Sequence, residues 1–172
     1  MDQQRIELLM QVPVFGAIRK DIIALLVEKA PLIQVQHGDY LFREGDKGTS
    51  MYIIESGHMS VIKNWAGNQY LLKQLRQGDC IGEMALFDFL PRSASLISTE
   101  NTELIEITAK DLLNIYHQDL EQFTLLQMNL GREVTRRLRN ADERLFEERM
   151  QASIDGREVS FHPYIGIKEI QH

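Results

Sequence analysis

The stretch that decides the fold of this chain is residues 81–95, which read Ile81-Gly82-Glu83-Met84-Ala85-Leu86-Phe87-Asp88-Phe89-Leu90-Pro91-Arg92-Ser93-Ala94-Ser95. A glycine opens the stretch, a carboxylate follows at once, and an arginine among small residues closes it. Gly82 allows the backbone to approach a ligand closely, and the free N–H groups of a short helix beginning near Glu83 would point at an anion. Arg92 supplies a cation that binds phosphate oxygens. The stretch therefore predicts a site for a small phosphate ester.

Glu83 indicates the second part of such a ligand. A phosphate repels a neighbouring carboxylate, so Glu83 is useful chiefly as an acceptor for a hydroxyl a short way from the charge, such as a ribose hydroxyl. The alternative interpretation is structural, because the helix dipole alone favours a glutamate at a helix start and Glu83 can form a plain ion pair with Arg92. Since both charged residues occur together and in order, we favour the ligand site.

Two clusters in this order, residues 82–86 and then residues 91–95, resemble the phosphate-binding cassette of the cyclic-nucleotide-binding domain family. The resemblance extends from about Asp21 to about Met150. It implies that Glu83 binds the ribose 2′-hydroxyl and that Arg92 binds the cyclic phosphate of cyclic AMP or cyclic GMP. It also implies that the rest of the cradle is made by Gly82, Met84, Ala85, Ser93 and Ala94.

The same resemblance assigns the contacts to the base of the nucleotide. They are expected from Val61, Leu72 and Met84 on the strands and from Arg137, Ala141 and Asp142 on a long C-terminal helix. Asp142 accepts hydrogen bonds but does not donate them, and guanine offers it N1–H and the 2-amino group side by side, whereas adenine offers one amino group. This favours cyclic GMP at least as much as cyclic AMP, although cyclic AMP is the more frequent ligand in the family. The alternative is that Asp142 is solvated and contacts no ligand.

The composition limits the class of protein. A chain of 172 residues, 44% of them hydrophobic, corresponds to about one globular domain. The single cysteine, Cys80, rules out an internal disulfide, and neither a secretory leader nor an apolar run of about 18 residues is present. We therefore expect a cytoplasmic protein without a membrane span. The net charge of -6 argues against a general nucleic-acid surface, so local geometry has to bind an anionic ligand.

Short strands and turns dominate the first two thirds of the chain. Two helices are predicted first, at residues 5–12 and 21–29, with Asp21 as the N-cap of the second and Pro31 as its stop. From residue 32 the pattern changes to short alternating runs separated by glycine turns, which is typical of an antiparallel sandwich or barrel. Strands are expected near residues 32–36, 40–42, 51–54, 59–62, 70–72, 95–98 and 104–107.

The predicted fold is mainly β (α+β), an antiparallel jelly-roll barrel flanked by N-terminal helices and a long C-terminal helix, and the family resemblance implies the same. We divide the chain into N-terminal helices at 1–30, a β-roll at 31–108 with the cassette at 81–95, C-terminal helices at 109–150 and a tail at 151–172. The tail has apolar residues without a helical period, so an added strand, a lid and a disordered end all stay open.

A long helix is predicted from Leu120 to Met150, because this segment has no proline and its apolar residues recur at spacings of three and four. A helix of about 30 residues spans about 45 Å. That length exceeds what a roll of this size covers, so we expect a parallel homodimer through the helix. The residues predicted to lie at or near its seam are Leu130, Val134, Leu138, Ala141 and Leu145. The alternative is that the stripe packs wholly on its own roll.

Other functions agree less well with the sequence. The five histidines are dispersed, which argues against a metal site, and neither a Walker A loop nor a Gly-x-Ser-x-Gly turn occurs. We therefore expect no enzyme activity, no metal and no cofactor. Many bacterial members of the family carry a helix-turn-helix module after the long helix, but residues 151–172 are too few for one. The alternatives are a stand-alone sensor, the regulatory part of a transcription factor without its DNA-binding module, and a docking or dimerising domain without a ligand.

Overall fold

The computed structural model describes residues 2–154 of the chain. Two short helices come first, α1 (Asp2–Gln11) and α2 (Lys20–Lys29), with a 3₁₀ turn at Pro13–Phe15 between them. Both predicted helices are confirmed, but the prediction of Asp21 as N-cap is wrong. Arg19 is the N-cap, because its carbonyl accepts the first hydrogen bonds of α2. Asp21 lies in the first turn, where hydrogen bonds from Arg19 hold the pKa of its carboxyl below the ordinary value.

Within the described residues, eight strands follow and form two four-stranded antiparallel sheets, in the orders β1-β8-β3-β6 and β2-β7-β4-β5. Their bounds are β1 (Leu32–Val35), β2 (Tyr40–Phe42), β3 (Ser50–Ser56), β4 (Met59–Trp65), β5 (Asn68–Leu75), β6 (Cys80–Ile81), β7 (Ser95–Ser98) and β8 (Thr102–Thr108). This arrangement confirms the predicted antiparallel jelly roll, although the described strands form two separate sheets and not a closed barrel. Strand β6 was not predicted, because two residues are too short to show a period.

The sheet that contains β3 and β8 separates two groups of buried apolar side chains, since neighbours along a strand point to opposite faces. Ile53 and Ile105 are paired across the strands and pack against the helices. The next pair, Ile54 and Leu104, packs with Leu96 inside the roll. A slip of one residue would exchange the two faces, so the apolar pattern fixes the register.

The predicted long C-terminal helix is confirmed as α4 (Leu120–Ile154), and a shorter helix, α3 (Ala109–Gln118), precedes it. Helix α3 begins with a capping box: Thr108 Oγ1 accepts a hydrogen bond from the Asp111 N–H, and the Asp111 carboxylate accepts one from the Thr108 N–H. The main-chain N–H of Gln122, in the first turn of α4, donates to the Asp119 carboxylate. Among residues 2–154, no helix combines the length and apolar character needed to cross a membrane.

The chain divides into two compact units, Met1–Val134 and Thr135–His172. In the first unit Leu130 is fully buried in the core that includes α1 and α2. The prediction that Leu130 lies at a dimer seam is therefore wrong, because its own unit already covers it. In the second unit Leu138 and Leu145 are 61% and 47% exposed. Residues 155–172 of the predicted tail lie outside the described residues.

Candidate functional site

The stretch 81–95 connects β6 to β7, so its two ends are anchored on different sheets. Gly82 adopts the left-handed backbone conformation, with φ 80° and ψ 8°, and one 3₁₀ turn follows at Glu83–Leu86. The short helix predicted to begin near Glu83 is thus present, in 3₁₀ form. The Arg92 side chain contacts Gly82, so the end of the segment folds back onto its beginning.

Glu83 and its neighbours differ sharply in exposure. Glu83 is 0% exposed and Ala85 is 5% exposed, whereas Met84 is 46% exposed. A buried carboxylate is costly unless hydrogen bonds or opposite charges compensate it, and the start of a helical turn favours a negative charge. Glu83 is therefore part of the interior at this turn and not a solvated surface residue.

Arg92 is a buried cation, with 6% of its surface exposed. Its Nη1 donates a hydrogen bond to the Gly82 carbonyl at 3.0 Å. Its Cζ lies 4.3 Å from the ring centroid of Phe42 and 5.6 Å from that of Tyr52, which are cation–π distances. Its Nε is buried and has no hydrogen-bond partner among the described residues. Because a guanidinium stays charged and carries several donors, this side chain has donor capacity for an anion.

The loop between β2 and β3 fixes the main chain of Arg92. Its N–H donates to the Asp46 carbonyl at 2.8 Å, and its carbonyl accepts from the Gly45 N–H at 2.9 Å. The same loop brings Gly48 so close to the guanidinium that an added Cβ would overlap Nε and Cζ. On the Gly82 side, an added Cβ would lie 2.5 Å from Nη1. The guanidinium therefore occupies space that side chains at both glycines would take.

The residues that follow Arg92 in the predicted cradle are connected to the roll by hydrogen bonds. Ser93 is exposed, and its carbonyl accepts a hydrogen bond from Lys63 Nζ at 3.2 Å. Ala94 is half-buried, and Ser95 is buried, where its Oγ accepts from the Glu44 N–H. The C-terminal half of the cassette is thus joined both to β4 and to the loop after β2.

The residues predicted to contact the base fall in two places. Val61 is half-buried against the interior of the roll, and Leu72 is 48% exposed at an irregularity in the pairing of β4 with β5. Arg137 and Asp142 belong to α4 within the second unit, together with Ala141. The roles of these α4 residues stay predictions.

Three neighbours of Arg92 were missed from the sequence: Phe42, Tyr52 and Gly48. The two aromatic residues appear in the sequence as ordinary strand residues, because alternation does not show which strand will face a distant arginine. Gly48 offers a signal, since it follows Gly45 closely in one turn segment, but a turn glycine alone does not indicate a contact. Among the residues that the structure describes, no group of three or more His, Cys, Asp and Glu side chains could hold a metal ion.

Residues 32–119 match the family described as the cyclic nucleotide-binding domain, and this match contains the left-handed Gly82, the buried Glu83 and Arg92. The chain belongs to the cyclic nucleotide-binding domain family. The match covers β1 to β8, the cassette and α3. The predicted recognition is therefore confirmed, on the same residues that carried the resemblance.

Individual proteins are also similar to this cyclic nucleotide-binding domain in sequence and in structure. The Cyclic AMP receptor protein of Thermus thermophilus is 31% identical over 141 residues, which cover 79% of this chain and 63% of that protein. A cGMP-dependent protein kinase of Plasmodium berghei is 39% identical over 77 residues, 45% of this chain and 8% of the kinase. The crystal structure of Thermus thermophilus Catabolite Activator Protein has a TM-score of 0.69 at 30% identity and covers 77% of this chain and 61% of that chain. This chain thus spans less than two thirds of the length of each.

The crowding at Gly82 leads to a stability prediction with a matched control. Gly67, in the turn between β4 and β5, has the same φ of 80°, but an added Cβ there meets nothing within 4 Å. We expect Gly67→Ala to cost about 1 kcal/mol through backbone strain alone. Gly82→Ala should cost at least about 1 kcal/mol more, because its Cβ also displaces Arg92. Urea unfolding of both variants measures the difference, and equal losses would contradict the crowding.

Proposed function

We propose that this domain binds a 3′,5′-cyclic nucleotide, cyclic AMP or cyclic GMP, as a regulatory sensor. The observation that carries the proposal is the setting of Arg92, a buried guanidinium on aromatic rings whose Nε has no partner among the described residues. A buried cation is costly unless opposite charges or hydrogen bonds compensate it. A cyclic phosphate compensates that charge with oxygens that accept the remaining N–H donors.

The roles within the site follow from charge and position. Arg92 binds the phosphate, and the main-chain groups around Gly82, Met84 and Ala85, together with Ser93 and Ala94, complete the cradle. Glu83 accepts the ribose 2′-hydroxyl, since a hydroxyl tolerates a carboxylate that a phosphate repels. Val61 and Leu72 on the roll provide apolar surface for the base.

The proposed module binds its ligand and does not convert it. The charged groups of the cassette serve recognition, whereas hydrolysis of a phosphodiester additionally requires a base or a metal aligned with a water molecule. Relatives that are named a cyclic AMP receptor protein and a cGMP-dependent protein kinase support a sensor whose output lies in another part of a larger assembly. A ligand-free docking domain is the second candidate, and titration separates the two.

A parallel homodimer through the second part of α4 is part of the proposal. Leu138 and Leu145 are large apolar side chains with high exposure, and Ala141 between them is exposed as well. Spacings of three and four residues place them along one side of a helix. A second copy of the same stripe would cover them in a two-fold arrangement. Val134 is half-buried within the first unit and contributes less surface.

Substitution of Arg92 tests the phosphate role. Arg92→Ala should weaken the binding of cyclic AMP and cyclic GMP at least about tenfold, because a charge-assisted hydrogen-bonding partner is worth about 1.5 to 3 kcal/mol. Arg43→Ala is the control, since Arg43 is exposed and stacks on Tyr40. Isothermal titration measures both. Unchanged affinity in Arg92→Ala would refute the assignment, and a folded parent that binds neither nucleotide would favour the docking domain.

Substitution of Asp142 tests which base is preferred. If its carboxylate accepts hydrogen bonds from guanine, Asp142→Ala should lower the affinity for cyclic GMP several-fold, by about 1 kcal/mol per lost hydrogen bond, and leave cyclic AMP almost unchanged. Glu143→Ala, at the next exposed carboxylate of α4, serves as the control. Parallel titrations that show a strong preference for cyclic AMP, unaffected by Asp142→Ala, would exclude this role.

Substitution of Leu138 tests the homodimer. Leu138→Glu would place two like charges at the centre of the seam, so we expect monomers. Asn140→Glu introduces the same charge about 200° around the helix, away from the stripe, and should leave the dimer intact. Sedimentation velocity at micromolar concentration distinguishes the states. A parent protein that sediments as a monomer would end the proposal.

A further inference from the structure

Arg92 packs against an aromatic pair. The rings of Phe42 and Tyr52 have centroids 6.2 Å apart at an interplanar angle of 35°, and both lie within cation–π distance of the guanidinium. The guanidinium of Arg92 is therefore held by these rings, by the Gly82 carbonyl and by the close contact with Gly48.

One of the two rings is itself fixed by a polar network. The Tyr52 hydroxyl donates to Glu106 Oε1 at 3.1 Å, and the Ser50 hydroxyl donates to the same oxygen at 2.6 Å. The register of β3 with β8 pairs Tyr52 directly with Glu106. Burial, the largest influence, raises the pKa of the Tyr52 phenol above its ordinary value, so the hydroxyl keeps the proton that it donates. Phe42 has no comparable anchor, since its side chain carries no polar group.

We propose that Tyr52 is a positioning residue for the phosphate site: its ring orients the Arg92 guanidinium against Gly82, and Glu106 in turn holds the ring. This inference rests on the proposed role of Arg92. One physical effect follows from the arrangement. A phenol that donates to a carboxylate has a more electron-rich ring, which strengthens its attraction for a cation.

The expected effects of substitution separate the ring from its anchor. Tyr52→Phe keeps the ring and loses the bond to Glu106, and should weaken cyclic nucleotide binding about threefold. Tyr52→Leu removes the ring and should weaken binding about tenfold or more. Tyr40→Leu is the matched control, because it removes a ring that lies 3.7 Å from the Cζ of a different arginine, Arg43. This control should bind like the parent.

A double-mutant cycle distinguishes positioning from a general loss of structure. In an Arg92→Lys background the planar guanidinium is absent, so Tyr52→Phe should have little further effect on affinity. If Tyr52→Phe lowers the affinity by the same factor in the parent and in the Arg92→Lys background, the positioning role is overturned. Thermal unfolding of each variant shows whether the affected protein is folded, and Tyr52→Phe is conservative enough to keep the core.

A readout without ligand completes the test. In the ¹⁵N–¹H spectrum of the free protein, the Arg92 Nε–H signal should be shifted upfield by the ring currents of Phe42 and Tyr52. Tyr52→Leu should reduce that shift, and Tyr40→Leu should not change it. An Arg92 signal that is unaffected by Tyr52→Leu would overturn the positioning role. If Tyr52→Leu reduces the shift as expected but the parent protein binds neither cyclic AMP nor cyclic GMP, the proposed function is overturned instead. The two failures are therefore distinguishable.

Discussion

Burial of one guanidinium is the constraint on which the site depends. Transfer of an arginine side chain from water into a protein interior costs several kcal/mol unless other groups compensate its charge. In this domain a main-chain carbonyl and two aromatic faces provide part of the compensation, and the main chain of Arg92 is hydrogen-bonded to the loop after β2. The glycines at positions 48 and 82 provide the space. The two rings, the two glycines and the loop after β2 come from different parts of the sequence, and all of them accommodate the same cation.

The helices are connected to one another by polar contacts as well as by the apolar core. Gln122 is buried, and its Oε1 accepts a hydrogen bond from the Arg19 N–H at 2.7 Å. Asn129 is buried about two turns further along the same face of α4 and donates to the Gly16 carbonyl at 2.8 Å. The Asp119 carboxylate accepts from the Gln122 N–H, which is the main reason that its pKa is lowered, and it also pairs with Arg19. The segment between α1 and α2 is therefore bound directly to the first turns of α4.

The parts of this structure that depend on residues close together in the sequence were predictable from the sequence. Gly82, Glu83 and Arg92 lie within one short stretch, so their residue types and spacing indicate a cassette before any contact is known. Contacts across strands were not predictable in the same way: alternation places Tyr52 on a face of β3, but only the folded register puts it beside Arg92. The same ambiguity explains Leu130. An apolar stripe has the same period whether its own core or a second copy covers it, and at Leu130 its own core does.

The register of β3 has a further consequence. Alternate residues of this strand belong to different environments, with Ile53 among the helices and Tyr52 among the side chains around Arg92. Substitutions on the first face change how firmly the helices are attached, whereas those on the second face change the surroundings of the cation. Each set of side chains can therefore diverge between related proteins with little effect on the other. An insertion of one residue in β3 offers no such freedom, because it would disturb both environments at once.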